Sequence, residues 1–138
     1  NPVVQETAKR ILGDHPQVHL IEPIGVQDMH NLIDRSYMIL TDSGGLQEEA
    51  PSLGKPVLVL RNETERPEAV KAGTVKLAGT NEAKIIELAT ELLDDENEYS
   101  NMSKAVNPYG DGRASERIVQ ALLYYFGLRS QKPEEYNP

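Results

Sequence analysis

The sequence contains no cysteine and no tryptophan, and it has a single phenylalanine. Without cysteine, the chain can form no disulfide, and it has neither a thiolate nucleophile nor a cysteine-ligated zinc site. Its 138 residues are nevertheless enough to bury a hydrophobic core within one domain. The fold therefore depends on packing and hydrogen bonding rather than on covalent cross-links.

Basic residues are also scarce, since 14 lysines and arginines stand against 22 acidic residues and give a formal net charge of -8. This balance argues against a nucleic-acid partner or an anionic membrane surface. No apolar run approaches membrane-spanning length, and no basic segment followed by an apolar one opens the chain. We therefore expect a soluble cytoplasmic protein. Because the chain begins with Asn1 rather than methionine, we also expect it to be a fragment of a longer protein.

Short apolar runs of strand length alternate with patterns typical of helices. The four runs lie at residues 18–21, 37–40, 56–60 and 74–78. Helical patterns precede the first run, separate the others and follow the last, and a polar tail at about residues 129–138 is expected to fray. This alternation predicts an α/β fold: a Rossmann-like three-layer domain with a parallel sheet.

The stretch around which the chain is organised follows the second run, where Asp42 and Ser43 precede Gly44 and Gly45. Apolar residues then recur at helical spacing. A strand that turns through glycines into a helix presents free backbone N–H groups and the positive end of the helix dipole, which together favour an anion. Ser43 can either cap this helix or give its hydroxyl to the same anion. A plain turn without a ligand is the alternative interpretation.

A second loop, at residues 61–67, follows the next apolar run. Because the carboxyl ends of parallel strands meet at one edge of the sheet, where ligands of open α/β sheets bind, Arg66 is expected near the glycine turn. An arginine there can pair bidentately with a phosphate, although it can also be an ordinary surface residue. The two loops together favour a phosphate-containing ligand.

The chain offers little for catalysis. Glu48 and Glu49 are neighbours on a helix and point about 100° apart, so they cannot share one substrate atom. One of them is better suited to accept hydrogen bonds from a sugar diol. Ser43 has no histidine or lysine at the spacing of a nucleophile's base, and the turn lacks the Gly-Lys-Ser/Thr ending of a P-loop. Binding explains the sequence better than catalysis does.

Four motifs occur together: TDSGGLQEEAPSLGKP at residues 41–56, ERPE at 65–68, AGT at 72–74 and NPYGDGR at 107–113. In this order they closely resemble the non-hydrolysing bacterial UDP-N-acetylglucosamine 2-epimerases. The resemblance implies part of the C-terminal, UDP-binding domain of a glycosyltransferase-B-like enzyme. Such an enzyme interconverts UDP-N-acetylglucosamine and UDP-N-acetylmannosamine by elimination and re-addition of UDP. It implies no metal and no other cofactor, a homodimer, and an N-terminal domain as the missing partner.

The resemblance also implies roles for individual residues. Ser43, Gly44 and Gly45 match residues that hold the diphosphate, and Arg66 matches an arginine of the same site. Glu49 matches the residue that binds the ribose hydroxyls, which leaves Glu48 as a solvated carboxylate. Met29 stands where the family lines the uracil pocket.

The family's catalytic carboxylates and a histidine of its site lie upstream of Asn1, so no catalytic residue is expected here and the chain alone is predicted to be inactive. Two alternatives remain. The chain can be the donor-binding domain of a UDP-sugar glycosyltransferase, or a non-catalytic nucleotide-sugar-binding or interaction domain.

Overall fold

A computed structural model describes residues 2–136, and their core is a three-stranded parallel sheet in the order β1-β2-β3. In chain order the elements are α1 (Pro2–Leu12), α2 (Val26–Arg35), β1 (Ile39–Thr41), α3 (Gly44–Ser52), β2 (Val57–Val59), α4 (Pro67–Ala72), β3 (Val75–Leu77), α5 (Glu82–Asp94), α6 (Glu96–Ser103) and α7 (Ala114–Tyr125). The register places Leu40 beside Leu58 and Leu58 beside Lys76. The predicted α/β, Rossmann-like class is confirmed.

The central strand β2 supplies both faces of the core, because successive side chains of a strand point to opposite sides of the sheet. Val57 and Val59 lie in a buried cluster with residues of α2, α3 and α4. Leu58 lies in a second cluster with residues of α5 and α6. The sheet is therefore covered on both faces, and this gives the three layers that the alternation of strands and helices predicts.

The helices begin and end where the sequence supplies caps. The side chain of Asn81 accepts a hydrogen bond from the backbone N–H of Lys84 at the start of α5. Asp95 accepts from two backbone N–H groups at the start of α6. Gly73 ends α4 with φ at 80°, a left-handed conformation that glycine adopts at little cost. These caps satisfy backbone groups that a helix cannot satisfy internally.

The expected strand at residues 18–21 is wrong, because this segment has no strand assignment in the structure. A strand is stabilised by ladder hydrogen bonds to a neighbour. Within residues 2–136, β1 pairs only with β2, so no strand lies beside the other edge of β1. The segment lies against α1 instead, with His19, Leu20 and Ile21 lining a shared cleft with Val4 and Ala8.

The apolar faces of the first and last helices contribute little to the core. The sequence pattern places Val4 and Ile11 on one face of α1, and both are more than 60 % exposed. α7 carries no buried residue, and Ile118 and Leu122 are more than half exposed. The buried clusters are confined to residues 33–102.

In the described part of the chain, no helix combines the length and apolar character needed to span a bilayer.

The polar tail contacts the turn before α7 through Tyr136, and the expectation that the tail frays stays a prediction. The hydroxyl of Tyr136 donates a hydrogen bond to the carbonyl of Asn107 at 3.1 Å. The guanidinium of Arg117 lies over the Tyr136 ring, 5.2 Å from its centroid. The tail therefore returns to the turn before α7; Asn137 and Pro138 lie outside the described residues.

Two adjacent leucines of α5 test the location of the core. Leu92 is fully buried, whereas Leu93 is 60 % exposed. We expect Leu92→Ala to lower the free energy of unfolding by about 2–5 kcal/mol, because it removes buried methyl groups and leaves a cavity. Leu93→Ala should change it by less than about 0.5 kcal/mol. Urea unfolding of both variants measures the difference, and equal losses would contradict this assignment of the core.

Candidate functional site

The glycine turn is the start of α3, and its backbone is open. Ser43 is the N-cap residue in an extended conformation, but its side chain makes no capping hydrogen bond. Instead, its backbone N–H donates to the Thr41 hydroxyl at 3.0 Å. The first N–H groups of a helix have no partner within it and attract anions. Of the two uses predicted for the Ser43 side chain, capping is not observed, and binding of an anion stays a prediction.

A carboxylate lies directly against this turn. A Cβ atom built on Gly44 would stand 2.5 Å from Oε1 of Glu65, so only glycine permits the contact without a shift of the glutamate. The other oxygen of Glu65 accepts from Nη1 of Arg61 at 3.0 Å. A hydrogen bond from its own backbone and the nearby arginine charges hold the pKa of Glu65 below its ordinary value. The start of α3 therefore accommodates a negatively charged oxygen beside Gly44.

A buried amide joins the turn to the second loop. Gln47 is fully buried, and its Nε2 donates to the carbonyl of Ser43 at 3.2 Å. Its Oε1 accepts from the Thr64 hydroxyl at 2.6 Å, and the same hydroxyl accepts from the backbone N–H of Arg66 at 3.0 Å. The expectation that both loops meet at one edge of the sheet is thus met by a continuous hydrogen-bonded chain.

Arg66 is already paired in this structure. Its Nε donates to Oε1 of Glu48, and its Nη1 donates to the carbonyl of Glu65 at 3.3 Å. The hydrogen bond to Glu48 raises the pKa of the guanidinium above its ordinary value. Glu48 was expected to be a solvated carboxylate and is instead the counter-ion of Arg66, because the loop returns over this side of α3. A phosphate that pairs with Arg66 has to share or replace this contact.

The side chain of Glu49 extends toward helix α2, away from the Arg66 loop that Glu48 contacts. Its Oε2 lies 3.1 Å from Nε2 of His30. Its Oε1 lies 3.5 Å from the position of a Cβ on Gly45, which places it toward the start of α3. Met29, beside His30, is partly buried against the core. The structure thus joins Ser43 to the Arg66 loop through Gln47 and Thr64, whereas Glu49 contacts α2 through His30. Met29 packs against the core, and the roles of the six predicted site residues stay predictions.

The turn at residues 107–113 is held against the core by Tyr109 and against α7 by Asp111. Tyr109 packs against the buried cluster that contains Ala50 and Ala69, and burial raises the pKa of its hydroxyl. Asp111 accepts two hydrogen bonds of 2.7 Å from the guanidinium of Arg117. This pair holds the pKa of the Asp111 carboxyl well below its ordinary range. The turn is therefore fixed to α7 by a bidentate ion pair.

Sequence reasoning missed Gln47, Thr64, Glu65 and His30. Gln47 had a signal, because it follows Ser43 by four residues and lies on the same helix face. Thr64 and His30 had no such signal, because their contacts join segments that are 17 or more residues apart in the chain. Glu65 pairs with the nearby Arg61, but no local pattern places it against Gly44.

The buried amide can be tested by a change that keeps its volume. Gln47→Leu leaves the Ser43 carbonyl and the Thr64 hydroxyl without their partner, and we expect a loss of about 1–3 kcal/mol in the free energy of unfolding. Gln27→Leu, on the exposed surface of α2, is the matched control and should change it by less than about 0.5 kcal/mol. Urea denaturation measures both values, and a stabilised Gln47→Leu protein would show that the network is not needed for the fold.

The chain has many known relatives. Residues 1–123 match the sequence profile of the family described as UDP-N-acetylglucosamine 2-epimerase. The UDP-N-acetylglucosamine 2-epimerase of Bacillus subtilis is 61 % identical over 136 residues, which cover 99 % of this chain and 36 % of the relative. The chain thus spans little more than a third of the length of that relative.

Solved structures agree with this comparison. The Staphylococcus aureus protein MnaA, solved with UDP, is 58 % identical with a TM-score of 0.91, and the match covers 99 % of this chain and 38 % of that one. The Neisseria meningitidis UDP-GlcNAc 2-epimerase, solved with UDP-GlcNAc, is 53 % identical with a TM-score of 0.83, over 89 % and 34 % of the two chains. This chain therefore belongs to the UDP-N-acetylglucosamine 2-epimerase family, because it matches the family's sequence profile and shares high identity and a common fold with these relatives.

Proposed function

We propose that this chain binds the UDP part of the substrate in an enzyme that interconverts UDP-N-acetylglucosamine and UDP-N-acetylmannosamine. The reaction eliminates UDP to give 2-acetamidoglucal and then adds UDP back. The observation that carries the proposal is the open start of α3, joined by Gln47 to the Arg66 loop, in a chain more than half identical to relatives solved with UDP or UDP-GlcNAc. We place the enzyme in the cytoplasm, where it supplies N-acetylmannosamine units for cell-surface glycans.

The diphosphate is assigned to the start of α3. Backbone N–H groups at Gly44 and Gly45 and the hydroxyl of Ser43 lie on one turn, where the helix dipole favours negative charge. Arg66 adds a positive group that can pair with phosphate oxygens bidentately. Glu65 occupies part of this space, so it moves aside when the diphosphate binds.

The nucleoside is assigned to the side of α3 that faces α2. Oε1 of Glu49 points toward the turn and has the acceptor character that a ribose diol requires. Met29 lies on the neighbouring helix and offers an apolar surface for the uracil ring. Glu48 is not assigned this role, because its carboxylate lies on the side of α3 that faces the Arg66 loop.

None of the six predicted site residues is assigned to the C2 proton of the sugar. Elimination of UDP requires a group that takes the proton from C2, with a pKa near the working pH. Glu65 has a lowered pKa and is therefore a weaker base than an ordinary glutamate. We therefore assign the catalytic carboxylates to an N-terminal domain of the complete enzyme, with the active site between the two domains. A homodimer is the proposed assembly.

Replacing Arg66 tests the diphosphate site. In the full-length protein, Arg66→Ala should weaken UDP binding roughly ten- to hundredfold, because it removes a charge-assisted pair. Uridine has no phosphate and should bind equally to both proteins. Arg10→Ala, on the exposed surface of α1, is the matched control. Isothermal titration calorimetry measures all affinities, and equal losses for UDP and uridine would contradict the assignment.

Proton exchange tests the division of labour between domains. The 138-residue chain alone should not exchange the C2 proton of UDP-N-acetylglucosamine in deuterated water, whereas the full-length enzyme should, because the base lies outside this chain. NMR at C2 follows both reactions against a sample without protein. Exchange by the chain alone would place the catalytic base within its residues.

A further inference from the structure

The two oxygens of the Glu49 carboxylate have different surroundings. Oε2 lies 3.1 Å from Nε2 of His30 on α2. Oε1 lies toward the start of α3, 3.5 Å from the position that a Cβ would take on Gly45. One oxygen is therefore bound to a protein group, and the other faces the turn to which the diphosphate is assigned.

The hydrogen bond has a defined direction. An ionised carboxylate only accepts, so the Nε2–H group of His30 donates a hydrogen bond to Oε2 of Glu49. Both side chains are nearly half exposed, at 47 % and 46 %. A pair this exposed adds little to folding stability, so its main effect is on the orientation of the carboxylate.

The helix that carries His30 is rigidly placed. Ile33, three residues further along α2, is 2 % exposed within the core cluster, and Met29 packs against the same cluster. His30 is thus presented at a fixed position beside α3. A glutamate side chain that would otherwise sample several rotamers is restrained by this contact before a ligand arrives.

We propose that His30 is a positioning residue for recognition of the ribose. By holding Oε2 of Glu49, it keeps Oε1 free on the side of the α3 start that faces α2, where it accepts from a cis-diol. This favours ribonucleoside diphosphates over analogues that lack the 2′- and 3′-hydroxyls. The inference rests on the proposed UDP site, and it adds to that site a residue from α2.

The test uses the full-length protein and two ligands, UDP and 2′,3′-dideoxy-UDP. His30→Ala should weaken UDP binding about three- to tenfold, the usual effect of losing one hydrogen bond. Its affinity for the dideoxy analogue should equal that of the wild type, because no diol is present. His30→Gln, which keeps an N–H donor, should restore at least half of the loss. Asn31→Ala is the matched control, since among residues 2–136 the Asn31 side chain bonds to the carbonyl of Gln27 within α2 and not to α3.

A double-mutant cycle with Glu49→Ala separates orientation from general damage. In the Glu49→Ala background, His30→Ala should have no further effect on UDP binding. If His30→Ala weakens UDP and its dideoxy analogue equally, the role is structural and the inference is wrong. If Glu49→Ala weakens UDP binding and His30→Ala does not, the inference is also overturned, while the UDP site stands. If the wild type does not bind UDP, the proposed function itself fails.

Discussion

One buried side chain, the amide of Gln47, holds the candidate site together. A buried amide must have hydrogen-bond partners, because each unsatisfied polar group costs about 1–3 kcal/mol. Gln47 finds its partners in the Ser43 carbonyl and the Thr64 hydroxyl, which belong to the two loops at the carboxyl edge of the sheet. Its need for partners therefore fixes the distance between the helix start and the Arg66 loop.

The charged side chains around this edge form ion pairs whose carboxylates a bound anion can replace. Arg66 is bound to Glu48, and Arg61 is bound to Glu65. All four side chains are at least one-third exposed, so these pairs contribute little to stability and can be opened at low cost. In the proposed complex with UDP, the diphosphate carries more charge than a carboxylate and accepts more hydrogen bonds, so we expect it to displace Glu48 and Glu65 without disturbing the buried network below them.

The packing divides the chain into a well-covered centre and two less covered ends. The buried clusters draw on the sheet and on α2 to α6, whereas α1 and α7 leave most of their apolar side chains accessible. An amphipathic helix is stabilised mainly by burial of its apolar face. The exposed faces agree with the proposal that this chain works as one part of a larger enzyme, in which further segments pack against them.

The sequence by itself determined the class of the fold and the kinds of residue at the site. Strand-length apolar runs alternating with helices predicted a three-layer parallel sheet, because these patterns depend on local periodicity. The glycine turn and Arg66 were assigned to one edge of the sheet by topology alone. The strand at residues 18–21 failed for the opposite reason: a strand exists only beside a partner, which no local pattern can supply.

Tertiary structure alone decided which partner each polar group has. The adjacent Glu48 and Glu49 look alike in the sequence, yet one is bound to Arg66 and the other to His30. The tail likewise contacts Asn107 through the hydroxyl of Tyr136. Such contacts join residues that are 18 or more positions apart. They arise only when packing of the core brings separate elements together, since a hydrogen bond depends on distance and direction in space rather than on order along the chain.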